Sequence, residues 1–369
     1  MNAERKIRLA YVVKYYHPMP RISGILRFTY DLIGLLSQDF QIRLITYRYS
    51  PEVAAREEHR AYEIIRTGAP FPIRAGRIAK GWRPDVVIFG SGFWRPHYLF
   101  PYWELLRAGL TGFRGPVILT QYSNMTSKFF SLCGLLRPRP DAVIVTTEAL
   151  RTDWRHLYPE QIYYIPPGVQ LQAGGGKSTA VVPKRRPLRI GYFGHLQAHK
   201  GPDILLRIFQ QVKPETAELL IHGEGEMLAG LKEQARGDDS IIFQGYVPDI
   251  GPWIRSCDLV VLPYRSATSV LGYSRAALES LAAGVPLLTT FNPAVAPLIE
   301  EGGNGFIAKN EAELKEKITV LIENRSLREK MREGALETAR AYDIKGVAEQ
   351  YINLILEMIE RAYQNRSNR

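Results

Sequence analysis

The run from Asp258 to Thr290, DLVVLPYRSATSVLGYSRAALESLAAGVPLLTT, limits the possible folds more than any other stretch of the chain. Asp258-Leu-Val-Val-Leu-Pro263 is a short apolar run closed by proline, the pattern of a strand buried on both faces. Tyr264 to Tyr273 is a loop of small and hydroxyl-bearing residues. Ser274 to Ala283 is rich in alanine and leucine and reads as a helix, with Ser274 as its cap and Gly284 as its left-handed stop. Val285 to Thr290 follows as the next strand, with Pro286 at its beginning. A strand, a polar loop and a helix N-terminus make a phosphate site by geometry. The first amides of the helix lack intrahelical partners and carry partial positive charge. Ser266, Thr268, Ser269 and Ser274 add hydroxyl donors. Glu279 lies more than one turn into the helix, with Arg275 four residues before it as a candidate ion-pair partner, in the weaker order for such a pair.

The rest of the chain repeats the strand-loop-helix pattern. Ile7 to Lys14 reads as a first strand, His17 to Gly24 as a loop, Leu26 to Ser37 as an amphipathic helix and Gln41 to Tyr47 as the next strand. Such a βαβ start predicts a parallel sheet, with ligands at the carboxyl ends of its strands. Asp85–Phe89, Pro116–Thr120 and Asp141–Thr147 are further buried strands. A glycine-rich stretch with three successive glycines, Gly174 to Gly176, then reads as a linker. A second α/β half opens at Leu188–Gly194. Its loop from His195 ends in Lys200-Gly201, which places a flexible cation beside a helix N-terminus. Strand Glu218–His222 ends in Gly223-Glu-Gly225. Glu311 to Tyr342 reads as helical and charged, and Asp343 to Tyr363 as a long amphipathic helix with Val347, Tyr351, Leu354, Ile355, Met358 and Ile359 on one face.

Charge is divided unevenly. Residues 1–185 carry 26 Lys and Arg against 13 Asp and Glu, and the remainder 22 against 24. A basic half of this kind suits an anionic partner such as a membrane surface. Aromatic and basic residues interleaved between Gly92 and Gly115, and the apolar stretch Phe129–Leu136, suit a membrane interface as well. No nucleic-acid signature accompanies them. Two cysteines, Cys133 and Cys257, exclude a disulfide framework. No Asp-x-Asp occurs, so nothing suggests a metal bound with a phosphate. The first residues do not read as a signal peptide and no stretch reads as a membrane span, so a cytoplasmic location is expected, with peripheral contact at the inner face of the membrane.

The second half resembles the retaining glycosyltransferases of family 4, which have the GT-B fold. The matching pieces are the Gly194 loop ending in Lys200-Gly201, Leu220-Ile-His-Gly-Glu-Gly225, Phe243-Gln-Gly-Tyr-Val247, Ala277-Leu-Glu-Ser-Leu-Ala-Ala-Gly-Val-Pro286 and Gly302-Gly-Asn-Gly-Phe-Ile307. Pro166-Pro-Gly-Val169 is similar to the family's domain junction. The resemblance implies an α/β chain of two Rossmann-like domains with parallel sheets facing a central cleft. Residues 1–168 would form the acceptor domain, 169–187 a linker and 188–342 the nucleotide-sugar domain. The helix over 343–369 would cross back to the first domain.

Residue by residue, the resemblance implies that Lys200 contacts the donor diphosphate and Glu279 the ribose hydroxyls, the two forming the catalytic pair. Gly194, His195, Gly223, Thr268, Ser269, Leu271, Gly272, Tyr273 and Ser274 would complete the donor site. Tyr246 and Val247 would lie near the base, and Gly24 would approach the donor from the first domain. His17 and Tyr122 would stand on the acceptor side. Three positions depart from the family. Leu271 replaces the first glutamate of the Glu-x7-Glu motif, His195 replaces an arginine, and Gln121 or Tyr122 stands where a histidine is usual. The implied reaction moves a hexose from a UDP- or GDP-sugar to a lipid-linked or glycan acceptor with retention, without cofactor or metal. Rival readings are an epimerase on the same fold and a non-catalytic partner subunit.

Overall fold

The computed structural model describes residues 5–16, 24–59, 61–91, 99–122, 140–156, 160–171, 187–212, 217–270 and 272–367. The chain divides into two compact units, Met1–Gly168 with Ile344–Arg369, and Val169–Asp343. Of the stretch read as a linker, 169–171 belong to the second unit, and 172–186 lie outside the described residues.

The first unit holds strands β1 (Arg8–Val13), β2 (Gln41–Tyr47), β3 (Arg56–His59), β4 (Tyr62–Thr67), β5 (Val86–Ser91), β6 (Val117–Gln121), β7 (Ala142–Val145) and β8 (Ile162–Tyr164). Their order in the sheet is β3-β4-β2-β1-β5-β6-β7-β8. Only β3, at the edge, runs antiparallel to its neighbour. The central strands read as unbroken apolar runs because helices cover both faces of a parallel sheet. Those helices are α1 (Gly24–Asp39), α2 (Phe71–Gly81), α3 (Leu99–Gly109) and α4 (Glu148–Arg155).

The second unit is a six-stranded parallel sheet of β9 (Leu188–Phe193), β10 (Ala217–His222), β11 (Ile241–Gly245), β12 (Leu259–Leu262), β13 (Leu287–Thr290) and β14 (Gly305–Ala308), in the order β11-β10-β9-β12-β13-β14. Helices α5 (Pro202–Val212), α6 (Leu228–Gln234), α7 (Gly251–Arg255), α8 (Arg275–Ala282), α9 (Glu311–Glu323) and α10 (Arg325–Arg340) accompany it. The chain builds outward from β9 to β11, then returns to the other side of β9 and builds outward through β14. The direction reverses between β9 and β12. Ligands of open α/β sheets bind outside the carboxyl ends of the strands at such a switch point. The two loops that matter are therefore the one after β9 and the one after β12.

The charged stretch after Glu311 is two helices rather than one. Asn324 separates them, closing α9 through its amide on Val320 O and capping α10 by accepting from Leu327 N at 2.9 Å. An N-cap of this kind contributes about 1 kcal/mol. The last helix, α11 (Ile344–Ser367), belongs to the first unit and packs on α1. Its buried face includes Val347, Tyr351, Leu354, Ile355, Met358 and Ile359, the face its periodicity indicates.

Tyr122, expected on the acceptor side, is a core residue. It follows β6, has no exposed surface, and places its hydroxyl 2.9 Å from that of Tyr11. Burial raises its pKa above that of a free tyrosine, against smaller lowering contributions from Tyr11, Thr29 of α1, Tyr351 of α11 and Thr120. Helix packing from distant parts of the chain encloses this side chain, which corrects the expectation. His17, the other acceptor-side candidate, lies outside the described residues.

Candidate functional site

The loop after β9 is fixed by its neighbour strands. Gly194 N donates to His222 O at 3.1 Å, Leu196 N to Glu224 O at 2.9 Å, and Gly223 N to Gly245 O at 2.8 Å. The ends of β9, β10 and β11 are thereby joined backbone to backbone. Gly223 has φ +136°, and a Cβ there would lie 1.8 Å from Gly194 O. The Gly-x-Gly turn is thus required by the contact between two loops, whether or not a ligand is bound. His195 is exposed, and its carbonyl accepts from the Tyr192 hydroxyl at 2.9 Å. Tyr246 and Val247, half-buried, follow β11 at the same edge of the sheet.

The β9 loop ends in a single tight turn, Ala198–Lys200, and then Gly201 at φ +69°. A Cβ on Gly201 would meet Pro263 O at 2.0 Å, so the first loop presses on the end of β12. This contact carries Lys200 to the second loop. Its Nζ donates to Ser269 O at 2.5 Å and lies 5.1 Å from the centre of the Tyr264 ring. Burial pushes its pKa down from 10.5 to about 8. Desolvation disfavours the charged form, and an approaching anion would favour it again. His199, beside it, is also shifted down by burial and by the Lys200 charge.

The β12 loop is held by its own network. Ser269, buried, donates through Oγ to His199 O at 2.6 Å, and the same oxygen accepts from Ser266 N at 3.1 Å. Thr268, exposed, places its hydroxyl 3.1 Å from that of Ser266. Tyr264 Oη lies 3.0 Å from Ser274 Oγ, and Ser274 caps α8 by accepting from Ala277 N at 3.3 Å. Gly284 closes the same segment at φ +67°. Gly272 is buried and Tyr273 half-buried, while Leu271 lies outside the described residues. Glu279, on the second turn of α8, pairs with Arg275, whose Nε donates to Oε1 at 2.6 Å.

The fold thus brings Lys200, Ser269, Tyr264 and Ser274 into one connected network, and Gly194 and Gly223 into another. Gly24 begins α1 of the first unit. Three contributors have no role assigned from the sequence. Arg265 donates to Ala198 O at 3.1 Å and pairs with Asp203, which ties the two loops together. Asn292 donates to Ala267 O at 3.0 Å and Ser266 O at 3.3 Å. His222 is 1% exposed and packed between Phe193 and Trp253, with ring centres at 5.0 and 4.8 Å. Burial lowers its pKa to about 4, so it is neutral near pH 7. Its place in the Leu220–Gly225 motif, at the end of a strand and one position before a glycine turn, was the signal for it. Among the described residues no group of three His, Cys, Asp or Glu side chains is placed to hold a metal, and no helix is long and apolar enough to cross a membrane.

The chain is similar to known proteins. Residues 22–173 match the family model for Glycosyltransferase Family 4, and residues 187–324 that for Glycosyl transferases group 1. The phosphatidyl-myo-inositol mannosyltransferase of Mycobacterium leprae is 26% identical over 65% of this chain and 67% of its own length. The N,N'-diacetylbacillosaminyl-diphospho-undecaprenol alpha-1,3-N-acetylgalactosaminyltransferase of Campylobacter jejuni is 26% identical over 44% of this chain and 43% of its own. The match therefore spans less than half of that relative. The structure of Anabaena HepE in complex with UDP-glucose superposes with a TM-score of 0.75 at 16% identity, covering 96% of this chain and all of that one. With these two domains in tandem and a parallel sheet in each unit, the chain belongs to the GT-B glycosyltransferases.

Proposed function

We propose that this chain transfers a hexose from a UDP- or GDP-sugar to a lipid-linked or glycan acceptor, with retention at the anomeric carbon. The observation that carries the reading is Lys200. It is a half-buried cation at the switch point of the second sheet, within reach of the loop that leads into α8. The hard step of sugar transfer is departure of the nucleoside diphosphate, as negative charge grows on the bridging oxygen. Lys200 and the first amides of α8 answer that charge without reorganising, which is the arrangement that lowers such barriers most. Glu279 would take the ribose hydroxyls, and Tyr246 and Val247 would flank the base. Gly194, Gly223, Thr268 and Ser269 would shape the diphosphate pocket. The chain would need no metal, because Lys200 and the helix amides stabilise the leaving group. The departing phosphate would take the proton of the acceptor hydroxyl.

The relatives support the class of substrate. The names of the M. leprae and C. jejuni enzymes specify lipid-borne acceptors, and HepE was solved with UDP-glucose. The basic first half would hold the chain at an anionic surface, on the cytoplasmic face of a membrane. Vesicle sedimentation checks this: pelleting should rise with the share of anionic lipid and fall with salt. Equal pelleting with neutral vesicles would contradict it. The main test is a panel of UDP- and GDP-sugars incubated without acceptor. One of them should be hydrolysed slowly, releasing nucleoside diphosphate. Conversion of the sugar to an epimer, or no turnover and no binding with any member, would contradict the proposal.

A further inference from the structure

We infer that Arg275 is a positioning residue that sets Glu279 for the ribose; this rests on the nucleotide-sugar reading above. Arg275 is the first residue of α8, and its guanidinium contacts Glu279 Oε1 through both Nε and a terminal nitrogen. Side-chain exposure is 22% for the arginine and 12% for the glutamate, so neither is an ordinary surface group.

Two local preferences oppose an arginine at this position. A cation in the first turn faces the positive end of the helix. Arginine before glutamate is also the weaker order for an i,i+4 pair. No acidic residue in the first turn offsets either effect. Helix stability therefore does not explain the residue.

Its contact with Glu279 does. The guanidinium holds the rotamer of a mostly buried carboxylate through a two-point contact on one oxygen. A carboxylate fixed in this way can meet two adjacent hydroxyls without first losing side-chain freedom. Arg275 thereby acts through Glu279 and touches no reacting atom.

Titration calorimetry tests this. The wild-type chain is titrated with UDP and GDP, and whichever binds is compared with its 2′,3′-dideoxy form. A hydrogen-bonded ribose predicts a preference of about tenfold or more for the ribonucleotide. Arg275→Ala should reduce that preference below about threefold, while the affinity ratio of diphosphate to monophosphate stays unchanged. Arg275→Lys should restore part of it, since lysine keeps the charge but not the planar fork. Arg275→Gln serves if the alanine variant does not fold. A merely structural role would weaken all nucleotides alike and leave the ratio intact. An intact ribose preference in Arg275→Ala, or none in the wild type, would overturn the inference. If the wild type binds neither UDP nor GDP, the donor-site reading fails first and takes this inference with it.

Discussion

Lys200→Ala is expected to cut turnover with the right nucleotide-sugar by about 10²- to 10³-fold, the effect of removing one preorganised donor from such a site. The fold should survive, because the side chain reaches the second loop by a single hydrogen bond, to Ser269 O. That loop is also held to its neighbours by Ser269 Oγ on His199 O, Arg265 on Ala198 O and Asn292 on Ala267 O. The pH dependence separates charge from shape. Lys200 titrates near pH 8 in the free site, and a diphosphate favours its charged form. Binding therefore requires proton uptake once the pH exceeds about 8, and affinity should be steady below that pH and fall above it. The variant should show no such fall between about pH 7 and about pH 9. A variant that turns over like the parent would remove Lys200 from the site.

Gly223→Ala should be the most damaging single methyl in the second unit. The added carbon would lie 1.8 Å from Gly194 O and 2.9 Å from Gly194 C, against backbone that has no rotamer to yield. Its φ of +136° is also unfavourable for any L side chain. Overpacking and strain together amount to about 2–5 kcal/mol. The relief available is separation of the two loops, which breaks Gly194 N to His222 O and Gly223 N to Gly245 O. Nucleotide affinity should fall with stability. Gly230→Ala is the control, since it lies in α6 with no heavy atom within 4 Å of the added carbon. It should be neutral or stabilising by up to about 1 kcal/mol. Urea unfolding of the two variants makes the comparison, and equal midpoints would show that the loops tolerate separation.

Legibility in the sequence followed the range of the interactions involved. The buried parallel strands, the Ser274 cap and the left-handed Gly284 depend on a few adjacent residues, and they were readable. The end of β9 and the end of β12 were readable as loops, but their adjacency is a property of strand order. The edge strand Arg56–His59 is made of charged residues, carries no hydrophobic alternation, and exists because β4 offers it a partner. The break at Asn324 escaped notice because asparagine inside a charged helical stretch is a weak signal until its side chain is seen capping. Tyr122 misled for a different reason. Its place after β6, where the family usually has a histidine, suggested the acceptor side, whereas the side chain is fully buried, near Thr29 of α1 and Tyr351 of α11, the latter more than 200 residues away in sequence. Arg265 and Asp203 are 62 residues apart, and only the folded sheet pairs them. Glu279 admitted both an ion-pair and a ligand reading in the sequence. The structure shows the ion pair, and the two roles are compatible.

The central claim is that the switch point of the second sheet binds a nucleoside diphosphate through Lys200. Titration calorimetry of the wild type and Lys200→Ala with UDP and GDP, in the presence of a metal chelator, tests it directly. The wild type should bind one of the two without metal, and the variant should bind it at least about tenfold more weakly, as expected for losing a charged hydrogen bond. Failure of the wild type to bind either nucleotide, or equal affinity in the variant, would contradict the account.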